Sequence, residues 1–247
     1  MYYGSPKHEE ALSRLMYVVS EGKGAGMLTG DYGSGKTVLA HLLSAHLNHN
    51  QYRFIYIANP QMTGTEILRE IVRHLGAVDH LPEQKGDIVS AVSEILRRNA
   101  EVGRTTTLIV DDAQLIREAE TLEELRLLLN LQMKDRFLIN LILIGQTELR
   151  EKVNRIPQLK GRMAMRFHLN ALDEAETGEY ILHRLKIAGR MEPLFTDLAI
   201  KDMFEYSKGV PREINNVANL CLLIGFNQHT DTINREIVKG AIGELEQ

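Results

Sequence analysis

The stretch Gly30-Asp31-Tyr32-Gly33-Ser34-Gly35-Lys36-Thr37 fits the pattern G-x-x-x-x-G-K-[ST] at every position. Its setting gives the letters meaning. The apolar pair Met27-Leu28 precedes it and reads as a short strand, while Val38 to Leu47 follows as an unbroken helix with one apolar face. Glycines let the backbone curl until successive N–H groups converge on phosphate oxygens. The helix beginning near Lys36 adds its positive end. In this chemistry Gly30, Gly33, Ser34 and Gly35 form the cradle, Lys36 reaches the β and γ phosphates, and the Thr37 hydroxyl ligates Mg2+. ATP and Mg2+ are the expected ligands. A chance glycine loop is the alternative, and the flanking strand and helix weigh against it.

Further along, Leu108-Ile109-Val110-Asp111-Asp112 reads as a buried strand delivering two acids to its tip. Two aspartates after a strand would alone suggest a solvated turn. Downstream of the phosphate loop, Asp111 is expected to hold Mg2+ through a water, and Asp112 to polarise the attacking water. Gln146 ends the strand Leu141 to Ile144 and is expected to orient that water between the γ-phosphate and the acidic pair. Gln114 could share the task but ranks lower, since it falls on the turn beyond the strand tip. Arg162 and Arg166 flank Met163-Ala164-Met165 ahead of a last strand at Phe167 to Leu169, and Arg212 follows Gly209-Val210-Pro211.

Around these motifs, strands alternate with helices, which argues for a parallel sheet covered on both faces. Helices are expected at 8–21, 63–75, 84–101, 122–133 and 147–153. From Asp173 onward the strands stop, and helices are expected near 174–189, 197–208, 211–226 and 232–245. The boundary is drawn at 170–173, giving a core at 1–172 and an all-helical lid at 173–247. With 247 residues the chain has room for both.

Composition excludes several classes. A net charge of −4 gives no general pull towards nucleic acid, although residues 150–190 are locally basic. The N-terminus lacks the apolar run of a signal peptide, and Leu138 to Gly145 is far short of the ~20 residues of a membrane span. A cytoplasmic protein without direct membrane insertion is expected. The nine histidines show no H-E-x-x-H spacing, so no zinc site is expected. The single cysteine, Cys221, sits in an apolar run and reads as a small core residue.

Several selective segments occur in order: Ile109-Val110-Asp111-Asp112-Ala113-Gln114, Ile144-Gly145-Gln146-x-Glu148-Leu149-Arg150, Leu159-x-x-Arg162 and Gly209-Val210-Pro211-Arg212-x-Ile214-Asn215. With them the chain resembles the AAA+ ATPases of the ExeA/GspA type, associated with general secretion and envelope assembly. The resemblance implies an α/β P-loop fold with strand order 5-1-4-3-2 and a helical lid. It makes Gln146 similar to sensor 1, Arg212 similar to the sensor 2 arginine, and Arg162 similar to an arginine finger offered to a neighbouring subunit, with Arg166 in reserve. Secretion members commonly continue into a transmembrane segment, and none is expected within these 247 residues. The family usually has Glu where Asp112 stands, and the shorter acid implies slow hydrolysis.

The function expected is that of a homo-oligomeric ATPase whose nucleotide state drives assembly or the remodelling of a protein client. A second reading is a DNA-bound regulator resembling transposition target-selection ATPases, with ATP as an assembly switch. A third is a nucleotide-gated adaptor with negligible turnover.

Overall fold

The structure, a computed structural model, describes residues 2–76, 82–134 and 136–246. The chain forms two compact units. One comprises His8–Gly30 and Lys36–Leu169; the other takes in the residues up to Lys7, Asp31–Gly35 and those from Asn170 onward.

In the first unit, β1 (Ala25–Gly30), β2 (Tyr52–Ile57), β3 (Thr105–Val110), β4 (Ile139–Gly145) and β5 (Met163–Leu169) make one parallel sheet in the order β2-β3-β4-β1-β5. Read from the β5 edge this is 5-1-4-3-2, as expected. Burial explains which strands sit where. Strands β1 and β4 are buried at every position and β3 at all but its first, which suits unbroken apolar runs flanked on both sides. Strands β2 and β5 alternate in exposure and occupy the edges. Asn140, the polar residue inside β4, is satisfied there: its Oδ1 accepts from the Gly24 N–H at 3.3 Å.

The helices of this unit are α1 (Pro6–Ser20), which starts two residues before it, α2 (Lys36–His46), α3 (Gly64–Leu75), α4 (Lys85–Glu101), α5 (Ala119–Leu128), α6 (Thr147–Asn154) and α7 (Pro157–Arg162). Local sequence sets their ends. Thr63 and Glu66 make a reciprocal capping box at the start of α3, Gly76 in the left-handed region closes it, and Ile67, Leu68, Ile71, Val72 and Leu75 supply its buried face.

Two details depart from expectation. The helix expected over 122–133 spans Ala119–Leu128 instead, and a short antiparallel ribbon follows, pairing Gln132–Met133 with Arg136–Phe137. The leucine run at 127–129 continues a helical pattern, but Lys134 adopts φ +50° and the Leu138 N–H bonds the Leu131 carbonyl, so the backbone turns back. The last strand begins at Met163 rather than Phe167, so Arg166 lies within it, paired in register with Met27. Only one side of this edge strand is covered, which leaves room for a charged residue mid-strand.

The second unit contains α8 (Glu174–Ile187), α9 (Asp197–Ser207), α10 (Pro211–Asn227) and α11 (Arg235–Leu245). They pack around Tyr180, Phe195, Met203, Val217, Cys221 and Val238. Burial pushes the Cys221 thiol up to about 12. Asp173 and Glu176 form the capping box of α8, and the Lys7 ammonium pairs with Glu176 at 2.8 Å. Arg235 grips the Asp202 carboxylate through two nitrogens, at 2.7 and 2.9 Å. The chain enters α10 through Gly209, whose carbonyl accepts from the Leu172 N–H at 3.0 Å. Among the described residues no helix is long and apolar enough to cross a membrane.

Gly209 has φ +74°, and a Cβ there would lie 1.8 Å from the Leu172 carbonyl oxygen. Gly189 in the same unit has φ +91° and open space around it. Both glycines relieve left-handed strain of about 1–2 kcal/mol, but only Gly209 also avoids a backbone collision. Gly189→Ala should therefore cost about 1–2 kcal/mol and Gly209→Ala distinctly more, on the order of 4 kcal/mol, in denaturant unfolding. Equal midpoints for the two variants would contradict the close approach at Leu172.

Candidate nucleotide site

The loop between β1 and α2 is shaped by its glycines: Gly33 has φ +82° and Gly35 has φ +101°, a region that L side chains rarely enter. Lys36, the first residue of α2, is 7% exposed despite its charge, and its ammonium donates to the Gly30 carbonyl at 2.9 Å. The following Thr37 is exposed, and its hydroxyl donates to Asp111 Oδ2 at 2.7 Å.

Asp111 stands directly after β3 and is 4% exposed. A buried carboxylate needs donors, and this one has three. Thr37 and the Tyr56 hydroxyl both donate to Oδ2 at 2.7 Å, and the Asp112 N–H donates to Oδ1 at 2.9 Å. Tyr56 comes from the neighbouring strand, in register with Ile109. Burial first, then the bond to Asp111 and the negative charges of Asp111 and Asp112, hold the Tyr56 phenol well above its ordinary value.

Asp112 adopts φ +48° and ψ +36°, turning the chain into a short helical turn at Ala113–Leu115. The turn folds the Gln114 side chain back, so that Nε2 donates to Asp112 Oδ1 at 3.0 Å and Oε1 accepts from the Gln146 N–H at 3.0 Å. Gln146 is the residue after β4, at the N-terminus of α6. Registers Thr29↔Gly145 and Val110↔Leu143 bring the ends of β1, β3 and β4 to one edge of the sheet. The carboxyl edge of an open parallel sheet is where such folds bind ligands.

The arginines stand apart. Arg162 ends α7, donates to Asn130 Oδ1 at 3.0 Å and to the Leu129 carbonyl at 3.5 Å, and lies 5.6 Å from the centre of the Phe137 ring. Arg166 is exposed on β5 and makes no hydrogen bond or ion pair among the described residues. In the second unit, the Arg212 guanidinium lies 4.1 Å over the Tyr32 ring, and its backbone N–H approaches the Gly33 carbonyl at 3.4 Å. A Cβ on Gly33 would come within 2.6 Å of the Arg212 Cβ.

Of the residues read as functional, the structure thus gathers Gly30, Lys36, Thr37, Asp111, Asp112 and Gln146 at one sheet edge, and sets Arg212 against the glycine loop. It does not bring Arg162 or Arg166 to that group. The Thr37 hydroxyl and Asp111 carboxylate oxygens converge to 2.7 Å. That donor set fits Mg2+, which prefers hard oxygens and is commonly held by one or two protein oxygens together with phosphate and water. Two contributors escape a reading by motif. Tyr56 looks like any strand-forming aromatic. Lys152, which donates to the Gln114 carbonyl at 2.6 Å and also to that of Ile116, looks like a solvated helix residue.

Residues 19–153 match a family described as AAA domain. The chain is 33% identical over 230 residues to general secretion pathway protein A of Aeromonas hydrophila, a match covering 91% of this chain and 41% of that protein. The chain therefore spans about two fifths of that relative's length, and the resemblance to the ExeA/GspA type is borne out. Among solved structures it is similar to Cdc6p of Pyrobaculum aerophilum (TM-score 0.73, 18% identity, 98% of this chain and 68% of that one). It is also similar to the Aeropyrum pernix ORC2 protein in its ADPNP–ADP complexes (TM-score 0.66, 20% identity, 95% and 66%). The Thermotoga maritima RuvB Holliday junction branch migration motor matches likewise (TM-score 0.64, 17% identity, 98% and 70%). At these identities the likeness is one of fold.

The Tyr56 bond has a measurable consequence. A phenol whose folded pKa is raised contributes stability that is whole below its unfolded value of about 10 and is lost as pH climbs through the folded value. Alkaline titration followed by tyrosinate absorbance should show Tyr56 ionising late, and Tyr56→Phe should remove one late-ionising tyrosine. The stability gap between parent and variant should hold constant at lower pH and narrow above about pH 10. An unchanged late-ionising set would place the phenol in solvent instead.

Proposed function

This chain belongs to the AAA domain family, and from that premise we propose that it binds ATP with Mg2+ at the Gly30–Thr37 loop and hydrolyses it slowly within a homo-oligomer. The observation that carries the reading is the convergence of Thr37 and Asp111 beside a glycine-curled loop whose lysine is buried. Lys36 would exchange the Gly30 carbonyl for β and γ phosphate oxygens. Thr37 and Asp111 would hold Mg2+, which neutralises charge developing on those oxygens. Asp112 would polarise the attacking water, and Gln146 would help to orient it. Arg212, seated on the loop residues Tyr32 and Gly33, would sense the bound nucleotide.

Hydrolysis in this reading is slow, because phosphoryl transfer depends on positioning and Asp112 is one methylene shorter than the glutamate usual in the family. Asp112→Glu should raise turnover if reach limits the rate. A fall to the level of Asp112→Ala would show a pocket built around the shorter acid. We propose nucleotide-dependent assembly or remodelling of a protein client as the output, in keeping with the likeness to a protein of the general secretion pathway.

Two experiments test the proposal. Lys36→Ala should lose ATP binding in a titration with Mg2+ present, and parental affinity and turnover in that variant would discard the site. For the shared site, Lys36→Ala protein mixed with Arg162→Ala, and separately with Arg166→Ala, should recover activity in whichever mixture supplies the missing finger. Such arginines are worth roughly 10³–10⁵ in rate. Full activity in a strictly monomeric preparation would end the oligomer reading. Sizing with and without ATP, repeated with duplex DNA, distinguishes self-assembly from assembly on nucleic acid.

A further inference from the structure

We propose that Gln114 is a positioning residue for hydrolysis: its side-chain amide fastens the Asp112 carboxylate to the tip of β4, and so fixes where that carboxylate meets the attacking water. The inference rests on the ATPase reading above and deepens it.

The amide has one possible orientation. The Gln146 backbone N–H can only donate, so the amide oxygen must face it; the Asp112 carboxylate can only accept, so the amide NH2 must face that. Reversing the amide would oppose donor to donor and acceptor to acceptor. Each end thus has a fixed protein partner, and through its Nε2 Gln114 acts on Asp112.

Three neighbours build this clamp. Asp112 takes the left-handed conformation, uncommon for a residue with a side chain but tolerated by Asp, and that turn folds Gln114 back over it. Lys152 reaches across from α6 to the carbonyls of Gln114 and Ile116 and holds the turn. Gly145 leaves the space: a Cβ there would lie 2.5 Å from Gln114 Oε1. The clamp thus ties the acid that would polarise water to the strand tip carrying Gln146, and a displacement of that tip is passed to Asp112 through two hydrogen bonds.

The test uses Gln114→Ala, Gln114→Glu, Gly145→Ala and the Gln114→Ala/Gly145→Ala pair in the full chain. ATP affinity should be unchanged in every variant. Single-turnover hydrolysis should fall on the order of 10²-fold in each, as for a misplaced catalytic group. The double variant should fall no further than either single, because both remove one clamp. Gln114→Glu separates positioning from bracing. It keeps an acceptor for the Gln146 N–H, so that amide stays protected from hydrogen exchange, but it sets a carboxylate against Asp112 and should be as slow as Gln114→Ala. Parental turnover in Gln114→Glu would mean that Gln114 only braces β4, overturning the inference, as would parental turnover in Gln114→Ala or a matching loss of ATP affinity. Gly145→Ala also crowds Leu149 at 3.0 Å; should it fail to fold, the two Gln114 variants decide. A parent that neither binds nor hydrolyses ATP would remove the ATPase reading itself, whereas a hydrolysing parent matched by Gln114→Ala removes the clamp alone.

Discussion

One buried carboxylate organises the site. Asp111 is almost wholly removed from water, and its carboxylate is met by donors from three segments: the start of α2, the end of β2 and its own following residue. Hydrogen bonds to a charged group contribute about 1.5–3 kcal/mol each, and leaving such a group unpaired costs more. Satisfying Asp111 therefore fixes Thr37 beside the end of β3 and holds β2 at the register that presents Tyr56. The same two oxygens are hard donors of the kind that would suit a divalent cation. The site is preorganised by the same bonds that make the burial of its charge tolerable.

The limits of reading this site from sequence follow from which contacts are local. The phosphate loop was legible because its glycines, lysine and threonine occupy fixed offsets between a strand and a helix. The central strands were legible because strands flanked on both sides read as continuous apolar runs. Edge strands are harder to read: β5 alternates exposed and half-buried residues, so its first half resembles a loop in the sequence, with Arg166 outside the strand. Tyr56 was invisible because its function depends on a register between strands far apart in sequence. Gln114 carries little weight in the sequence alone, since its reach depends on a left-handed aspartate and on a glycine in another strand.

The two arginines near β5 show how similar residues acquire different standing. Arg162 is engaged by a side-chain amide, a backbone carbonyl and an aromatic face, all within its own chain. Among the described residues Arg166 has no such attachments, and it extends from an edge strand. A cation already held must give up those bonds before it can serve a neighbour. One that is free gives up only side-chain entropy, up to about 2 kcal/mol.

The contact of Arg212 with Tyr32 and Gly33 joins residues made early in synthesis to residues made late. The glycine loop leaves the ribosome long before Arg212, and contacts spanning such a separation carry a loop-closure cost and form slowly. A nascent chain that has completed its five strands already possesses Lys36, Thr37 and Asp111, yet its loop still lacks the arginine that will sit on it. The surroundings of the loop are consequently among the last parts of the native structure to be finished, and a chain truncated before α10 would carry every residue of the phosphate-binding motif in an incomplete setting.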